Sequence, residues 1–323
     1  MSFVLPLERL RALPRASFLG APTPIDRLGS FERATSSPYP IFIKRDDAIP
    51  FGFGGNKVRK LELVMAAALR EGADTVITCG GVQSNHCRAT AAAATRLGLQ
   101  CHLVLSGEAP HVLSGNTRLD EIFGAKLHFV PGRADRTPKM ASLEGSLRAD
   151  GLKPTVIPLG ASTALGATGL ALAIFEMIEQ GHRPDVIVHA SSSGGTQAGL
   201  LAGLALAGSK TRVIGISADE SASSLRRTVE ELERGVLDLV GSKAEPREAE
   251  VQDRFVGEGY GIPTEASREA LTLLARSEAI VVDHTYTAKA LAGLIALVRD
   301  RSVPKDSSIL FWHTGGQVGV LAQ

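Results

Sequence analysis

Residues 54–62, Gly-Gly-Asn-Lys-Val-Arg-Lys-Leu-Glu, join a flexible turn to two lysines one helical turn apart. The Gly54-Gly55 pair gives way to a helix that Asn56 would cap. Lys57 then takes the first helical position, and Lys60 lies one turn later on the same side. Val58, Leu61, Met65 and Leu69 recur at the spacing that buries one helical face. An amine just after a Gly-rich turn, at the mouth of an α/β unit, is placed to hold a cofactor carbonyl as a Schiff base. The plainer alternative is a solvated lysine at a helix end.

Other turns carry chemistry of their own. Ser193-Gly194-Gly195-Thr196 lies between a strand and a helix, where outward N–H groups and the helix dipole favour an anion. No Gly-Lys-Ser/Thr follows and no G-x-G-x-x-G is present, so a compact monophosphate suits it better than a dinucleotide. The alternative is an ordinary Gly-rich connection. Ser84-Asn85-His86 opens a helix in the same way and can hold a carboxylate on its N–H groups and hydroxyl. His86 reads more readily as a packed histidine than as a metal ligand. The eight histidines and three cysteines show no zinc spacing, and no metal is expected. Tyr260 in Gly-Tyr-Gly, Tyr286-Thr287 and His313-Thr314-Gly315-Gly316 complete the set, Tyr260 being open to a surface-packing alternative.

These turns need a scaffold of strands running into helices, and the chain supplies one. Apolar strands over 75–79, 101–105, 126–130, 155–158, 185–189, 212–216, 279–282 and 308–311 alternate with helical segments, whereas 1–40 reads as irregular. Such alternation implies parallel sheets with helices on both faces and ligands beyond the carboxyl ends of the strands. With 323 residues, 44% hydrophobic and 21% charged, the chain fits a globular protein of about two domains. A formal net charge of +1 argues against nucleic-acid or membrane-surface partners. The unpaired set Cys79, Cys87 and Cys101 suits a reducing, cytoplasmic compartment, with Cys79 and Cys87 as small core residues. Met1-Ser-Phe-Val-Leu-Pro-Leu-Glu lacks the basic start of a signal peptide, and no apolar run spans a bilayer.

Taken together, GGNKxRKLE, GGVQSNH, SSSGGT, the GYG tyrosine, TYT and HTGG resemble one family. The chain is similar, from about residue 20 to its end, to the pyridoxal-phosphate enzymes of the D-cysteine desulfhydrase and 1-aminocyclopropane-1-carboxylate (ACC) deaminase group, of the tryptophan synthase β-like fold (fold type II). The resemblance implies an α/β protein of two doubly wound open-sheet domains with pyridoxal 5′-phosphate in the cleft between them. A small domain, 54–160, would be inserted into a large one made of 1–53 and 161–323, and a homodimer would be usual.

The resemblance also implies roles. Lys57 would be the Schiff-base lysine and Cα base, and Lys60 would help neutralise the phosphate, which Ser193, Gly194, Gly195 and Thr196 bind. Asn85 would contact the pyridine 3′-oxygen and Thr314 the ring nitrogen, with Thr287 and Gly315 also in the cofactor set. Ser84, Asn85 and His86 would cradle the substrate carboxylate, and Tyr260 and Tyr286 would face the substrate.

ACC deaminases typically carry Glu where this chain has Thr287 and an apolar residue where it has Thr314. A hydroxyl supports a protonated ring nitrogen less well than a carboxylate, so a better leaving group is needed. That favours β-elimination of sulfide from D-cysteine, followed by L-cysteate sulfo-lyase activity and then ACC deamination. The sequence offers no way to place a sulfonate pocket among its arginines. Readings of another class are a non-catalytic pyridoxal-phosphate or amino-acid-binding protein and a plain nucleotide-binding domain.

Overall fold

A computed structural model describes residues 4–322, so the leader reading over Met1–Phe3 lies outside the described residues. The strands are β1 (Ile25–Arg27), β2 (Ile41–Arg45), β3 (Thr75–Gly81), β4 (Gln100–Ser106), β5 (Lys126–Val130), β6 (Pro154–Val156), β7 (Val186–Ser191), β8 (Arg212–Ser217), β9 (Glu250–Gln252) and β10 (Ile309–His313). The helices are α1 (Val4–Ala12), α2 (Gly29–Ala34), α3 (Lys57–Arg70), α4 (Asn85–Leu97), α5 (Gly115–Ile122), α6 (Arg136–Ala149), α7 (Ala164–Glu179), α8 (Gly195–Leu206), α9 (Ala222–Leu239), α10 (Glu265–Glu278) and α11 (Thr287–Arg299).

Two sheets result. One has the order β1-β2-β10-β7-β8-β9, parallel except for the β1–β2 pair, and the other has the order β5-β4-β3-β6, parallel throughout. All of β3 and β7 is buried, as expected of parallel strands covered on both faces. In the larger sheet, Ile187, Val213 and Leu310 pack toward α7, α8 and α9, while Val186, Val188, Ile214 and Phe311 pack toward α10 and α11. The smaller sheet is covered by α3 and α4 on one side and α6 on the other. This is the doubly wound arrangement expected from the alternation.

Several local expectations change. The stretch expected to be irregular holds α1, β1 and α2, and only its connecting segments, such as 13–24, lack regular structure. No strand forms over 279–282. Ala279 ends α10 in the left-handed region at φ 56°, and Ile280 and Val282 bury their side chains without a ladder partner. Along α3, Val58, Leu61 and Met65 are buried as the periodicity requires, but Leu69 is 39% exposed, the helix end having turned outward.

The helix that carries both lysines is fixed by a buried ionic network. Arg59 donates to Asp46 Oδ1 from Nε at 3.0 Å and from a terminal nitrogen at 2.8 Å, and to Glu176 Oε2 on α7 at 2.8 Å. Trp312 Nε1 donates to the other Asp46 oxygen at 2.9 Å, and Lys44 Nζ meets Glu176 Oε1 at 2.5 Å. Burial opposes these charges, yet Asp46 and Glu176 raise Arg59, and the Arg59 and Lys44 contacts draw Glu176 down to about 2. Helix α7 comes close enough to complete the network because of Gly169, where a Cβ would lie 2.2 Å from the Arg59 carbonyl oxygen. Among the described residues, no helix is long and apolar enough to cross a membrane.

Candidate active site

A cavity of about 380 Å³ opens between the two sheets, where β3, β7, β8 and β10 end. Lys57 lines it from the first turn of α3. Arg88, fully buried on α4, holds the preceding turn by donating to Phe53 O at 3.1 Å and Gly54 O at 2.8 Å. Gly54 and Gly55 take φ of 72° and 101°, which keeps the turn tight enough for the Asn56 N–H to reach Thr314 O at 3.0 Å.

Asn56 does not cap the helix. Its side chain donates to Thr196 Oγ1 at 2.7 Å and accepts from Lys57 Nζ at 3.1 Å, tying the lysine to the 193–196 turn. Burial first, and the Arg88 charge second, lower Lys57 to about 8. An amine in that range has a reactive neutral fraction near neutral pH.

Lys60 stands behind the cavity wall, fully buried, with its ammonium on Ser162 Oγ at 3.1 Å and Gly160 O at 3.3 Å. Among the described residues no carboxylate lies within ion-pair distance of it. Burial, reinforced by Lys57, pushes its pKa well below the ordinary lysine value. In front of it, Ser162 and Ser193 share a hydrogen bond of 2.8 Å. Helix α8 opens at Gly195, so its N-terminal N–H groups and dipole belong to the same corner. A Cβ at Gly195 would sit 2.7 Å from Ser162 Oγ and 2.8 Å from Lys60 Nζ. Gly160 and Ala161 adopt left-handed φ of 68° and 48° to form the facing turn. An uncompensated buried cation, two hydroxyls, a helix N-terminus and a backbone approach open only to glycine fit a phosphate monoester. Pyridoxal phosphate therefore suits the residues present: this corner would hold its phosphate and Lys57 would face its carbonyl.

The opposite wall comes from β3 and α4. Ser84 caps α4, its Oγ accepting from the Cys87 N–H at 3.2 Å, and its own proton has no protein acceptor among the described residues. A Cβ at Gly80 would lie 2.4 Å from Ser84, which is why the turn needs glycine there. Asn85 accepts from Asn116 Nδ2 at 3.0 Å and lines the cavity. His86 also lines it but is held neutral by burial and by Lys57 and Lys60. Thr78 donates to Ile157 O at 2.7 Å, so His86 Nε2 carries the proton shared with Thr78 at 2.8 Å, and Nδ1 is left as a bare, unpartnered acceptor. The His86 side chain thus braces the turn against Thr78.

Tyr260 and Tyr286 meet hydroxyl to hydroxyl at 2.6 Å, with rings edge to face. Burial raises both, Tyr260 to about 12, so each phenol keeps its proton through neutral pH. The Arg133 guanidinium lies 5.1 Å above the Tyr260 ring and pairs with Asp219 at 2.9 Å. Arg136 also lines the cavity and donates to Ser106 Oγ, with no carboxylate partner among the described residues.

The structure thus brings Lys57, Ser84, Asn85, His86, Ser193, Gly194, Thr196, Tyr260, Tyr286, Thr314 and Gly315 to one cavity. Lys60 and Gly195 lie directly behind it. Thr287 does not reach it. Its hydroxyl donates to Asp283 Oδ1 at 2.6 Å and accepts from the Asp283 N–H at 2.8 Å, within a cluster in which Asp283 caps α11. The i, i+4 spacing of Asp283 and Thr287 was the available sign of that pairing. Arg133, Arg136, Asp219 and Asn56 were not foreseen as site residues, and for Arg133 and Asp219, some 86 residues apart in the chain, no local pattern announces the pair.

Among the described residues, no group of three or more His, Cys, Asp or Glu is arranged to hold a metal. The family model for pyridoxal-phosphate dependent enzymes matches residues 16–315. A solved ACC deaminase homologue is 34% identical over 98% of this chain and 96% of its own, with a TM-score of 0.92. Threonine deaminase isoform 2 from Solanum lycopersicum, 17% identical over 96% of this chain and 83% of its own, has a TM-score of 0.68. A hydrogen sulfide-producing enzyme from Fusobacterium nucleatum, 15% identical over 97% of each chain, has a TM-score of 0.66. The last two share the fold alone. The match across nearly the whole chain, with the lysine and phosphate corner in place, means that this chain belongs to the pyridoxal-phosphate dependent enzymes, in the fold type II group of ACC deaminases and D-cysteine desulfhydrases.

Proposed function

We propose that the protein is a lyase that eliminates the β-substituent of a small amino acid, with D-cysteine as substrate and pyruvate, sulfide and ammonia as products. The observation that carries this reading is the meeting of a lowered-pKa Lys57 with a protonated tyrosine pair in one cavity. When bound, pyridoxal phosphate supplies the carbonyl that captures the substrate amine and the ring that delocalises charge left at Cα. Lys57 accepts the Cα proton. Ser84 and the N–H groups opening α4 bind the carboxylate and fix which face of Cα meets the lysine. The Tyr260–Tyr286 pair offers a proton to sulfur as the Cβ–S bond breaks and its electron pair leaves with the sulfur. Released aminoacrylate hydrolyses to pyruvate and ammonia.

Thr314 is the residue on the cavity wall proposed to meet the ring nitrogen. Asp283 has both oxygens committed to α11 and Thr287, which favours a substrate with a good leaving group over one whose cyclopropane must open. A second reading, L-cysteate sulfo-lyase, gains support from Arg133 and Arg136 on the cavity wall, two cations suited to a sulfonate. Purified holoenzyme assayed for sulfide from D-cysteine, sulfite from L-cysteate and 2-oxobutyrate from ACC separates the three. Absence of sulfide from D-cysteine defeats the leading reading.

The division into an inserted 54–160 unit and a remainder of 1–53 and 161–323 is supported by the sheets, since every strand of the four-stranded sheet falls between 75 and 156. A homodimer remains part of the proposal and is checked by light scattering of the purified protein.

A further inference from the structure

Lys289 lies on α11, one turn after Tyr286, and is fully buried. Among the described residues no carboxylate stands within ion-pair distance of it. Its ammonium donates to three backbone carbonyls, Val256 O at 2.7 Å, Gly259 O at 2.8 Å and Ala218 O at 3.3 Å. Burying a cation whose direct partners are all carbonyls is costly, the charges of Asp219 and Asp283 offsetting only part of the burial, and a methionine would fill the same space without that cost.

Those carbonyls belong to two segments that face the cavity. Ala218 precedes Asp219, the partner of Arg133, and Val256 and Gly259 lead into Tyr260. The Tyr260 segment has little structure of its own, with Gly257, Gly259 and Gly261 at φ of 66°, 144° and 80°. Tyr286 therefore faces the cavity from the residue just before α11, and the first turn of the helix grips the Tyr260 segment through Lys289.

We propose that Lys289 is a positioning residue for the reaction, holding the Tyr260 segment so that the two phenols meet as one proton-donating unit. This rests on the reading of Tyr260 as substrate-facing. Three ammonium protons pointing at three carbonyls set the height and direction of Gly259, and the next side chain is Tyr260. Losing them leaves a glycine-rich segment free to swing its phenol away from Tyr286. Arg133, stacked on the outer face of the Tyr260 ring, cannot replace that hold, because it touches the ring and not the backbone beneath it.

The test is a cycle of holoenzyme variants: Tyr260→Phe, Lys289→Met and the pair together, with Lys289→Arg as the charge-keeping control. Lys289→Met is expected to lower kcat tenfold or more with a smaller change in KM, and the double variant to be no slower than Tyr260→Phe. Spectrophotometric titration should show a phenol ionising closer to the ordinary tyrosine range in Lys289→Met. Multiplying effects in the double variant, or wild-type kcat and an unchanged phenol titration in Lys289→Met, would overturn the proposal. Full activity in Tyr260→Phe would instead sink the reading of Tyr260 itself. Should Lys289→Met not fold, Lys289→Gln carries the same kinetic and titration test.

Discussion

Removing the Lys60 ammonium should have opposite consequences with and without cofactor. Lys60 is completely buried, touches only a serine hydroxyl and a carbonyl, and has its pKa driven down by burial and by Lys57. In the apoprotein that cation is a liability. Lys60→Met keeps the volume and drops the charge, which should stabilise the apoprotein by about 1–3 kcal/mol. The pH dependence has a fixed sign. A lysine whose folded pKa is lowered binds its proton more readily in the unfolded chain, so wild-type apoprotein gains stability as pH rises toward about 10.4. The variant should lose part of that slope. With cofactor the balance reverses, because an ammonium-to-phosphate hydrogen bond is worth about 1.5–3 kcal/mol. Pyridoxal phosphate should therefore bind roughly ten- to a hundredfold more weakly to the variant. Thermal unfolding of the apoprotein across pH and a cofactor titration followed by absorbance measure both. A less stable apoprotein with unchanged cofactor affinity would refute the assignment of Lys60 to the phosphate.

The network under α3 should fail in acid. Glu176 falls to about 2 in the folded protein from an ordinary 4.5, so its contribution is complete above about 4.5 and is lost as pH falls toward about 2. Glu176→Gln should cost about 3 kcal/mol at neutral pH and flatten the acid limb of the unfolding curve. Capture of added pyridoxal phosphate by the apoprotein should accelerate with pH through about 8, where Lys57 loses its proton. Stopped-flow absorbance follows that rate, and a flat profile from 6 to 9 would contradict the lowered lysine.

What could be read from the sequence was mostly what is local in the chain. The lysine after Gly54-Gly55 and the Ser/Gly turns at strand ends declare themselves because tight turns, caps and helix N-termini are set by adjacent residues. The sheets followed from strand–helix alternation for the same reason. Partners far apart left no such trace. Arg59 reads as one more charged helix residue until Asp46 and Glu176, 13 and 117 positions away, close around it. Thr287 reads as a cofactor residue by motif alone, whereas the helix start claims its hydroxyl for Asp283. The apolar run at 279–282 resembles a strand, but Ala279 serves to end α10 and the run joins neither sheet. Asn56 reads as a cap by residue type, and its side chain is instead drawn to Thr196, 140 residues on.

The amine at position 57 is the foundation of the whole account, and it can be trapped. Borohydride reduction of the holoenzyme, followed by digestion and mass spectrometry, should place the reduced pyridoxyl group on the peptide containing Lys57, and Lys57→Ala should yield no adduct. A pyridoxyl group on any other lysine, or an undiminished adduct in Lys57→Ala, would contradict it.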